Sequence, residues 1–305
     1  MSDARELLNG PLIGHDLKTT FRAALAADGG SEGRVHHDTR IAAFLLNSLE
    51  RSRELTDLLD QPIDTEQPGE VIAAIWKAYQ TQAPLIAAIP KIAKVAQDID
   101  YPSIWLLAVV EHRGIQLNSE YLETMAKEFE KKIGIIERRI YAQAGQEFNI
   151  GSPSQLGTIL YEKLGLPTAG VKRGKTGYST GAAELIKLKN LHPLPAAVLE
   201  YREFTKLKST YLDTLPKLVD KDGKLHTTYD LDVAATGRLS SRDPNLQNIP
   251  TRTQIGNDIR RAFIPKKGNV FVSADYNQFE LRLSAVIAKD QELIDDFNKD
   301  VDVHT

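Results

Sequence analysis

Apolar residues recur along the middle of the chain with the spacing of one helix face. Between Asn118 and Gly145 they are three or four residues apart, at Leu122, Met125, Phe129, Ile133, Ile136 and Ile140. This spacing predicts a long amphipathic helix, with Asn118 as its N-cap and Gly145 at its end. Shorter helices are predicted over 41–49, 70–83, 101–114 and 196–215. Another should follow Ser152-Pro-Ser-Gln155, which has the form of a capping box.

Near the C-terminal end the pattern changes from that of a strand to that of a helix. The β-branched and aromatic run from Val270 to Ala274 predicts a short buried strand. Helical spacing follows at Phe279, Leu283, Val286 and Ile287. Asp275 lies between the two, where a carboxylate at the end of a core strand is well placed to hold a hard cation. The alternative is that Asp275 only caps the helix. A further strand is predicted over 225–231.

Composition places the chain among globular proteins. The chain is 42% hydrophobic and 26% charged. Its length of 305 residues is enough for two or three domains. It has no cysteine, which excludes disulfides, thiolate metal sites and a cysteine nucleophile. No apolar run reaches membrane length and the first residues lack the features of a signal peptide, so we expect a cytoplasmic protein.

The formal net charge is −3, but basic residues concentrate late in the chain. Seven basic residues and two acidic ones lie between Arg238 and Lys267. A phosphate-binding face is therefore expected in the middle and late chain, unless the run is only a solvated surface.

Three runs in the last third of the chain carry a resemblance to a known family. They are Ala235-Thr-Gly-Arg-Leu-Ser-Ser241, Pro244-Asn-Leu-Gln-Asn-Ile-Pro250 and Asp275-Tyr-Asn-Gln-Phe-Glu-Leu-Arg282. In order and spacing they resemble the signature of family A DNA polymerases, the class of bacterial DNA polymerase I. The resemblance is dense from about Lys206 to Thr305 and weaker toward the N-terminus.

The resemblance implies an α+β, mainly helical fold in four parts. Residues 1–97 would form a degenerate, truncated ribonuclease H-like exonuclease domain, and 98–115 the start of the palm or a connector. Residues 116–218 would form a helical thumb, and 219–305 a partial antiparallel palm.

The N-terminal part departs from an active exonuclease. Where that domain carries an Asn-Leu-Lys-Tyr/Phe-Asp run, this chain has Asp16-Leu-Lys-Thr-Thr20, and its Tyr-x-x-x-Asp motif would run from Tyr79 to Ala83. Two-metal hydrolysis needs several converging carboxylates. We therefore expect a scaffold without 3′–5′ proofreading, in which His36 and His37 are surface or packing residues rather than metal ligands.

One run in the thumb, Ala169-Gly-Val-Lys-Arg-Gly-Lys-Thr176, fits a relaxed phosphate-loop pattern. A phosphate loop joins a buried strand to a helix, and Leu164-Gly-Leu-Pro167 predicts no strand. We expect instead a basic loop at the tip of the thumb that touches the DNA backbone.

The resemblance assigns contacts with primer–template DNA. Arg202 and Lys206 are four residues apart and share a helix face, from which they could reach phosphates or simply be solvated. By resemblance, Arg238 would enter the minor groove at the primer terminus, where correct base pairs present acceptors in similar places. The predicted DNA-binding residues are Arg202, Lys206, Lys208, Thr210, Arg238, Asn245, Gln247 and Asn248.

The resemblance also implies the reaction: the primer 3′-hydroxyl attacks the α-phosphate of a deoxynucleoside triphosphate, assisted by two Mg²⁺ ions. Asp275 is the predicted catalytic and metal-bridging carboxylate, with the Tyr276 carbonyl as a further metal ligand. Glu280 would close the floor under the sugar and so exclude ribonucleotides. The predicted nucleotide-binding residues are Gln278, Phe279, Glu280 and His304. Phe279 departs from the aliphatic residue more usual at its position.

The resemblance ends inside the palm, before the fingers and the palm motif that supplies the second carboxylate. A single carboxylate should bind the metals poorly. We therefore expect the N-terminal piece of a replication or repair polymerase, inactive until a second polypeptide completes it, in a bacterial nucleoid or as a viral protein in the host cytoplasm. The alternatives are a fragment of a longer polypeptide, an inactive DNA-binding remnant, and a single-subunit RNA polymerase, against which Glu280 argues.

Overall fold

The fold is mainly helical, with four small β-sheets among the described residues. A computed structural model describes residues 10–28, 32–174, 177–299 and 301. The chain separates into two compact units, Met1–Ile264 and Pro265–Thr305. No helix in the described part of the chain has the length and apolar character needed to cross a membrane.

The N-terminal part of the first unit has a parallel strand pair covered by helices. Strands β1 (Pro11–Gly14) and β2 (Arg34–Asp38) pair in parallel, and a buried apolar cluster that includes Phe21 and Ile104 packs beside them. The helices are α1 (Leu17–Asp28), α2 (Thr39–Leu46), α3 (Leu55–Leu59), α4 (Pro68–Ala87), α5 (Pro90–Val95) and α6 (Tyr101–Arg113), with a π-helical turn at Ala96–Asp100. The helices predicted over 41–49, 70–83 and 101–114 are thus confirmed with shifted ends.

Local caps explain where two of these helices begin and end. The Asp38 carboxylate accepts hydrogen bonds from the backbone N–H groups of Arg40 and Ile41, each at 3.0 Å, so α2 starts directly after it. Helix α6 stops before Gly114, whose φ of +60° an L side chain rarely adopts.

The predicted long helix is α7 (Ser119–Ala144). The Asn118 side chain accepts a hydrogen bond from the Tyr121 backbone N–H at 3.0 Å, and Gly145 takes a left-handed conformation, so both predicted ends are confirmed. Five residues of the apolar stripe are buried and Ile133 is half-buried. The stripe packs into two of the three apolar clusters of the first unit.

The predicted capping box is half formed at α8 (Pro153–Gly157). Ser152 Oγ accepts from the Gln155 backbone N–H at 3.4 Å. The Gln155 side chain, however, accepts from the Asn149 backbone N–H at 2.7 Å rather than from that of Ser152. The reason is that the Ser152 N–H already donates to the Asn149 carbonyl at 2.9 Å.

The run from Ala169 to Thr176 leads into a strand rather than a helix. Strands β4 (Arg173–Gly174) and β5 (Gly177–Tyr178) pair antiparallel. A phosphate loop needs a helix at this point, so the pairing supports its rejection. Lys175 and Thr176 lie outside the described residues.

The rest of the first unit joins two helices to a three-stranded antiparallel sheet. The helices are α9 (Ala182–Leu188) and α10 (Pro193–Leu207), followed by a π-helical turn, Lys208–Leu212, and a 3₁₀ turn, Leu215–Lys217. Strand β3 (Ile115–Leu117) lies between β6 (Lys224–Leu225) and β9 (Phe263–Ile264). Helix α11 (Gln254–Arg260) precedes β9.

The strand predicted over 225–231 is divided in two. Strand β7 (Thr228–Asp230) leaves the β6 sheet and pairs antiparallel with β8 (Ser240–Arg242). The division falls at His226 and Thr227, whose side chains lie 3.0 Å from Asp220 Oδ2 and 2.7 Å from Ser241 Oγ. These contacts hold the backbone away from a continuous ladder.

The second unit contains two packed helices, α12 (Phe279–Ala288) and α13 (Gln291–Asn298). The Arg282 guanidinium lies 4.7 Å from the centre of the Phe297 ring. The prediction of a buried strand over 270–274 is wrong: within the described residues no segment pairs with it, and its side chains are exposed. A strand needs a hydrogen-bonded neighbour and a covered face, and the described chain supplies neither.

Candidate functional site

A groove of about 550 Å³ in the first unit brings together four of the predicted DNA-binding residues. They are Lys206, Thr210, Asn245 and Asn248. Its lining is completed by Glu203, Leu207, Tyr211, Pro244 and Pro250. One wall is the end of α10 and the turn after it; the other is the segment 244–250.

The helical wall presents polar groups because of its register. Lys206 and Thr210 are exposed, while Leu207 and Tyr211 are buried in the apolar cluster below them. Lys206 and Thr210 are four residues apart and therefore lie on one side of the helical segment. A lysine and a hydroxyl on one face can serve consecutive phosphates of a nucleic-acid backbone.

The opposite wall is held by a buried hydroxyl pair. The Thr227 hydroxyl donates to the Pro244 carbonyl at 2.8 Å. Ser241 Oγ accepts from the Leu246 backbone N–H at 3.1 Å, and the Asn245 side-chain oxygen Oδ1 accepts from the Gln247 backbone N–H at 3.0 Å. These bonds fix the turn that carries the two asparagines of the groove.

Two predicted DNA-binding cations have partners within the first unit. The Arg202 guanidinium donates to the carbonyl and, at 3.4 Å, to the hydroxyl of Thr180, and burial lowers the pKa of Arg202. Lys208 Nζ donates to both Asp213 carboxylate oxygens, at 2.9 and 3.0 Å. Neither Arg202 nor Lys208 is among the residues that line the groove with Lys206.

Arg238 belongs to the hairpin loop next to the groove, and Gln247 belongs to the 244–250 wall. Arg238 is exposed in the loop between β7 and β8. The Gln247 side-chain amide donates to the Leu239 carbonyl at 3.1 Å, which connects the loop to the 244–250 wall. Gln247, a predicted DNA-binding residue, thus makes a hydrogen bond within the chain that also restrains the β7–β8 loop.

Thr227 and Ser241 were missed by the sequence reasoning as residues that position the groove. Ser241 ends one of the motif runs, which was a signal of its importance. Thr227 carried none, because its role depends on the pairing of β7 with β8.

The motif that begins at Asp275 lies in the second unit. Asp275 and Tyr276 are exposed, and the Tyr276 ring lies 5.4 Å from that of Phe279. The N-cap residue of helix α12 is Gln278, which has a φ of 50°. The Gln278 side chain makes no capping hydrogen bond. Asp275 therefore does not cap this helix, and the capping alternative is wrong. Glu280 is exposed in the first turn of α12, and His304 lies outside the described residues.

The described residues do not by themselves form a two-metal centre. Among them, no three histidine, cysteine, aspartate or glutamate side chains are placed to hold a metal ion. Asp275 is exposed and belongs to no such group among the residues that the structure describes. The donors for two Mg²⁺ ions are thus not assembled by these residues alone.

The histidines of the N-terminal part are packing residues. His37 is buried, with Nε2 3.0 Å from the Gln82 amide oxygen and Nδ1 3.1 Å from the Tyr101 hydroxyl. Burial lowers the pKa of His37 and raises that of Tyr101. His36 Nε2 lies 3.2 Å from the hydroxyl of Tyr79, the residue at which the exonuclease motif would begin. The interpretation of both histidines as surface or packing residues is confirmed.

Comparison with known families matches the part of the chain that carries these motifs. The model of DNA polymerase family A matches residues 119–305. The DNA polymerase I of Synechocystis sp. is 37% identical over 93% of this chain, and that of Pseudomonas aeruginosa 47% over 76%. The thermostable DNA polymerase I of Thermus thermophilus is 42% identical over 93% of this chain.

The matched regions are parts of longer proteins. They cover 31%, 25% and 34% of those three relatives, so the chain spans between a quarter and a third of their length. Among solved structures, the POL domain of Pol1 from M. smegmatis in complex with DNA primer-template and dNTP aligns with a TM-score of 0.88 and 35% identity. The alignment covers 98% of this chain and 54% of that one.

Proposed function

Since the chain belongs to DNA polymerase family A, we propose that it takes part in template-directed DNA synthesis and requires a C-terminal partner chain or segment. That partner would supply the fingers, the rest of the palm and the second catalytic carboxylate. A role in replication or repair, in the cytoplasm, is part of this proposal.

The observation that carries the proposal is the uncovered apolar surface of the second unit. Val270 is 80% exposed, Val272 87% and Ile287 73%. The other large exposed side chains of this surface are Phe271, Tyr276, Phe279, Leu281, Leu283 and Val286. Apolar surface this dense on one short segment is typical of an interface, and obligate interfaces resemble a core cut in half. The remaining palm of a family A polymerase is the occupant that we propose.

The groove supports a role for the first unit in holding primer–template DNA. Lys206 offers a phosphate contact, and Thr210, Asn245 and Asn248 offer hydrogen bonds that select no particular sequence, as a copying enzyme requires. Arg202 and Lys208 would have to share or release Thr180 and Asp213 to bind DNA. We therefore expect Lys206 to contribute more to DNA affinity than either of them. Arg238 and Gln247 would bind at the primer terminus.

The second unit carries the residues that we propose for catalysis and nucleotide binding. Asp275 would be the first catalytic carboxylate, and Gln278, Phe279 and Glu280 would contact the deoxynucleotide. The Glu280 side chain would discriminate against a 2′-hydroxyl by occupying its space. Because the described residues alone do not hold two metal ions, the proposed activity depends on the partner.

We propose that the N-terminal part of the chain does not proofread. Asp16 and Thr20 replace the ends of one exonuclease run, and Ala83 ends the other. This region would serve as a scaffold.

Primer extension tests the proposed function. The chain alone should bind a labelled primer–template and extend no primer. Adding the C-terminal part of Synechocystis DNA polymerase I that follows the matched segment, or the equivalent part of the Thermus thermophilus enzyme, should allow extension. Asp275→Asn should then reduce extension to background without changing DNA affinity, because it removes a charge from the reacting site only.

The control is Glu292→Gln, which removes an exposed carboxylate of the same unit and should extend as the unmodified assembly does. Extension by the chain alone would refute the need for a second carboxylate. DNA binding with no extension alongside either complement would favour the inactive remnant. Full extension by an assembly that carries Asp275→Asn would show that Asp275 is not a catalytic carboxylate.

A further inference from the structure

A cluster of charged side chains joins the N-terminal helices to the hairpin of β7 and β8. Glu111 of α6 is buried, and its Oε1 accepts from Lys18 Nζ at 2.6 Å and from the Tyr229 backbone N–H at 2.7 Å. Lys18 Nζ also donates to the Tyr229 carbonyl. Arg22 Nη1 lies 3.0 Å from Glu111 Oε2, an ion-pair distance. Both backbone groups of Tyr229 in β7 are therefore bound by the N-terminal region.

A second cluster binds the start of the hairpin loop. Arg40 Nε donates to Asp232 Oδ2 at 2.8 Å, and Arg53 Nη1 lies 4.0 Å from the same oxygen. Asp232 is 4% exposed. Burial opposes the charge on Arg40, but the charge and hydrogen bond of Asp232, together with the charges of Asp16 and Glu54, outweigh burial, so the pKa of Arg40 is raised. Asp232 is thus a buried anion whose partners come from residues about 180 to 190 positions earlier in the chain.

The far end of the loop is bound from its other side. Gln247 holds the Leu239 carbonyl, and Arg242 Nε donates across the hairpin to Asp230 Oδ2 at 2.7 Å. Arg238 lies directly before Leu239, so the loop that carries it is restrained at both ends. A loop that is already fixed loses less conformational freedom when its cation engages a ligand.

The cavity between the N-terminal helices and the β7–β8 hairpin is a packing interface within the chain rather than a ligand site. A cavity of about 190 Å³ lies there, and its basic lining residues are Lys18, Arg22, Arg40 and Arg242. Each of them is ion-paired with Glu111, Asp232 or Asp230. The four cations are therefore paired with carboxylates of the same chain rather than available to an anionic ligand.

We propose that Arg40 acting through Asp232, and Lys18 acting through Glu111, are positioning residues for DNA binding. They hold the β7–β8 hairpin so that Arg238 is presented to primer–template DNA in a fixed loop. The inference rests on the proposed function, in which Arg238 contacts the DNA. It gives the exonuclease-like region a task that requires no catalytic carboxylate.

The test measures the affinity of the full chain for a fluorescently labelled primer–template at constant salt, with and without Arg238→Ala. Arg40→Gln and Asp232→Asn should each weaken binding about three- to tenfold when Arg238 is present, and less than about twofold in the R238A background. Asp98→Asn removes the partner of Lys94 in an exposed ion pair of the same region and should change nothing. Arg40 is one-third exposed, so Arg40→Gln remains informative if Asp232→Asn folds poorly.

Hydrogen exchange of the same variants supplies a readout that needs no DNA. Amides of residues 228–242 should exchange faster in Arg40→Gln and Asp232→Asn than in Asp98→Asn. Unchanged exchange there would overturn the inference, as would equal losses of affinity with and without Arg238, which indicate general destabilisation. If exchange rises and affinity stays constant while Lys206→Ala still weakens binding, the positioning role fails and the proposed function stands. If the unmodified chain binds no primer–template, both fail.

Discussion

The two units of this chain treat similar side chains in opposite ways. In the first unit, residues up to Ile264, many isoleucines and leucines of the helices are buried in three apolar clusters, and Ile140 has no exposed surface. In the second unit, Ile287 and its neighbours on α12 are largely exposed, and the only buried apolar side chains among its described residues are Ala285 and Phe297. Ile140 and Ile287 both lie on helices with apolar periodicity, α7 and α12, so the periodicity alone does not decide burial.

The difference shows that an apolar pattern indicates which face of an element needs cover, but not whether the chain provides that cover. The helix Ser119–Ala144 finds its covering helices within the same unit. The run from Val270 to Ile287 finds no such cover among the described residues of its own unit. The same contrast holds for charge: Glu111 and Asp232 have buried partners in the first unit, whereas Asp275 is exposed.

The largest expected effect tests the internal partners of the first unit. Glu111→Ala should lower the free energy of unfolding by about 3–5 kcal/mol, because it leaves Lys18 and Arg22 without their buried partner. Urea unfolding followed by circular dichroism measures it. Asp98→Ala, which breaks an exposed pair, is the control and should produce no measurable change. A loss as small as that of the control would mean that the Glu111 cluster contributes little to the first unit.

The next effect compares the two units directly. Ile140→Ala should cost about 2–5 kcal/mol of stability, and Ile287→Ala in the isolated chain should stay within about 0.5 kcal/mol. Both residues are helical isoleucines, so each is the matched control of the other. Equal costs in the isolated chain would show that Ile287 is already covered, which removes the main support for a partner.

A smaller effect concerns the groove. Lys206→Ala should weaken primer–template binding about three- to tenfold and reduce the salt dependence by about one phosphate contact. Lys208→Ala should change affinity less than about twofold, because Asp213 already pairs with that ammonium. Fluorescence anisotropy across a salt series measures both. The reverse order would place the phosphate contact on Lys208.

The smallest effect is the pH dependence of the first unit. Burial lowers the pKa of His15 below its usual value of about 6.5. The unfolded chain then binds a proton more readily than the folded one, so this contribution to stability is lost as the pH falls below about 6.5. His15→Asn should reduce the loss between pH 7.5 and 5.5 by up to about 1 kcal/mol.

Thermal unfolding of the two proteins at both pH values measures that difference. Asp38 acts in the opposite direction, since burial raises its pKa to about 6 and its protonation favours the folded state as the pH falls. Because Asp38 is present in both proteins, the comparison isolates His15. An identical pH dependence of the two proteins would contradict the prediction.

Several elements were predictable because their causes are local. Asn118 and Gly145 define the ends of the long helix through backbone conformation and one side-chain bond, and its stripe predicted which face is buried. The family resemblance predicted Lys206, Thr210, Asn245 and Asn248 as DNA-binding residues, and the fold brings these four to one groove. The strand over 270–274 failed because strand formation depends on a neighbour, and β propensity cannot report whether that neighbour is present.

The sequence by itself determined the family resemblance, the helix limits and the types of side chain at the candidate site. Only the tertiary structure decided which cations are engaged within the chain, as Arg202 is by Thr180 and Arg40 by Asp232. Only it decided that the β7–β8 hairpin is held by the N-terminal region and that the apolar run after Val270 is exposed. The physical reason is range: caps and periodicity act over a few residues, whereas ion pairing and burial depend on groups far apart in the chain, whose meeting no local pattern encodes.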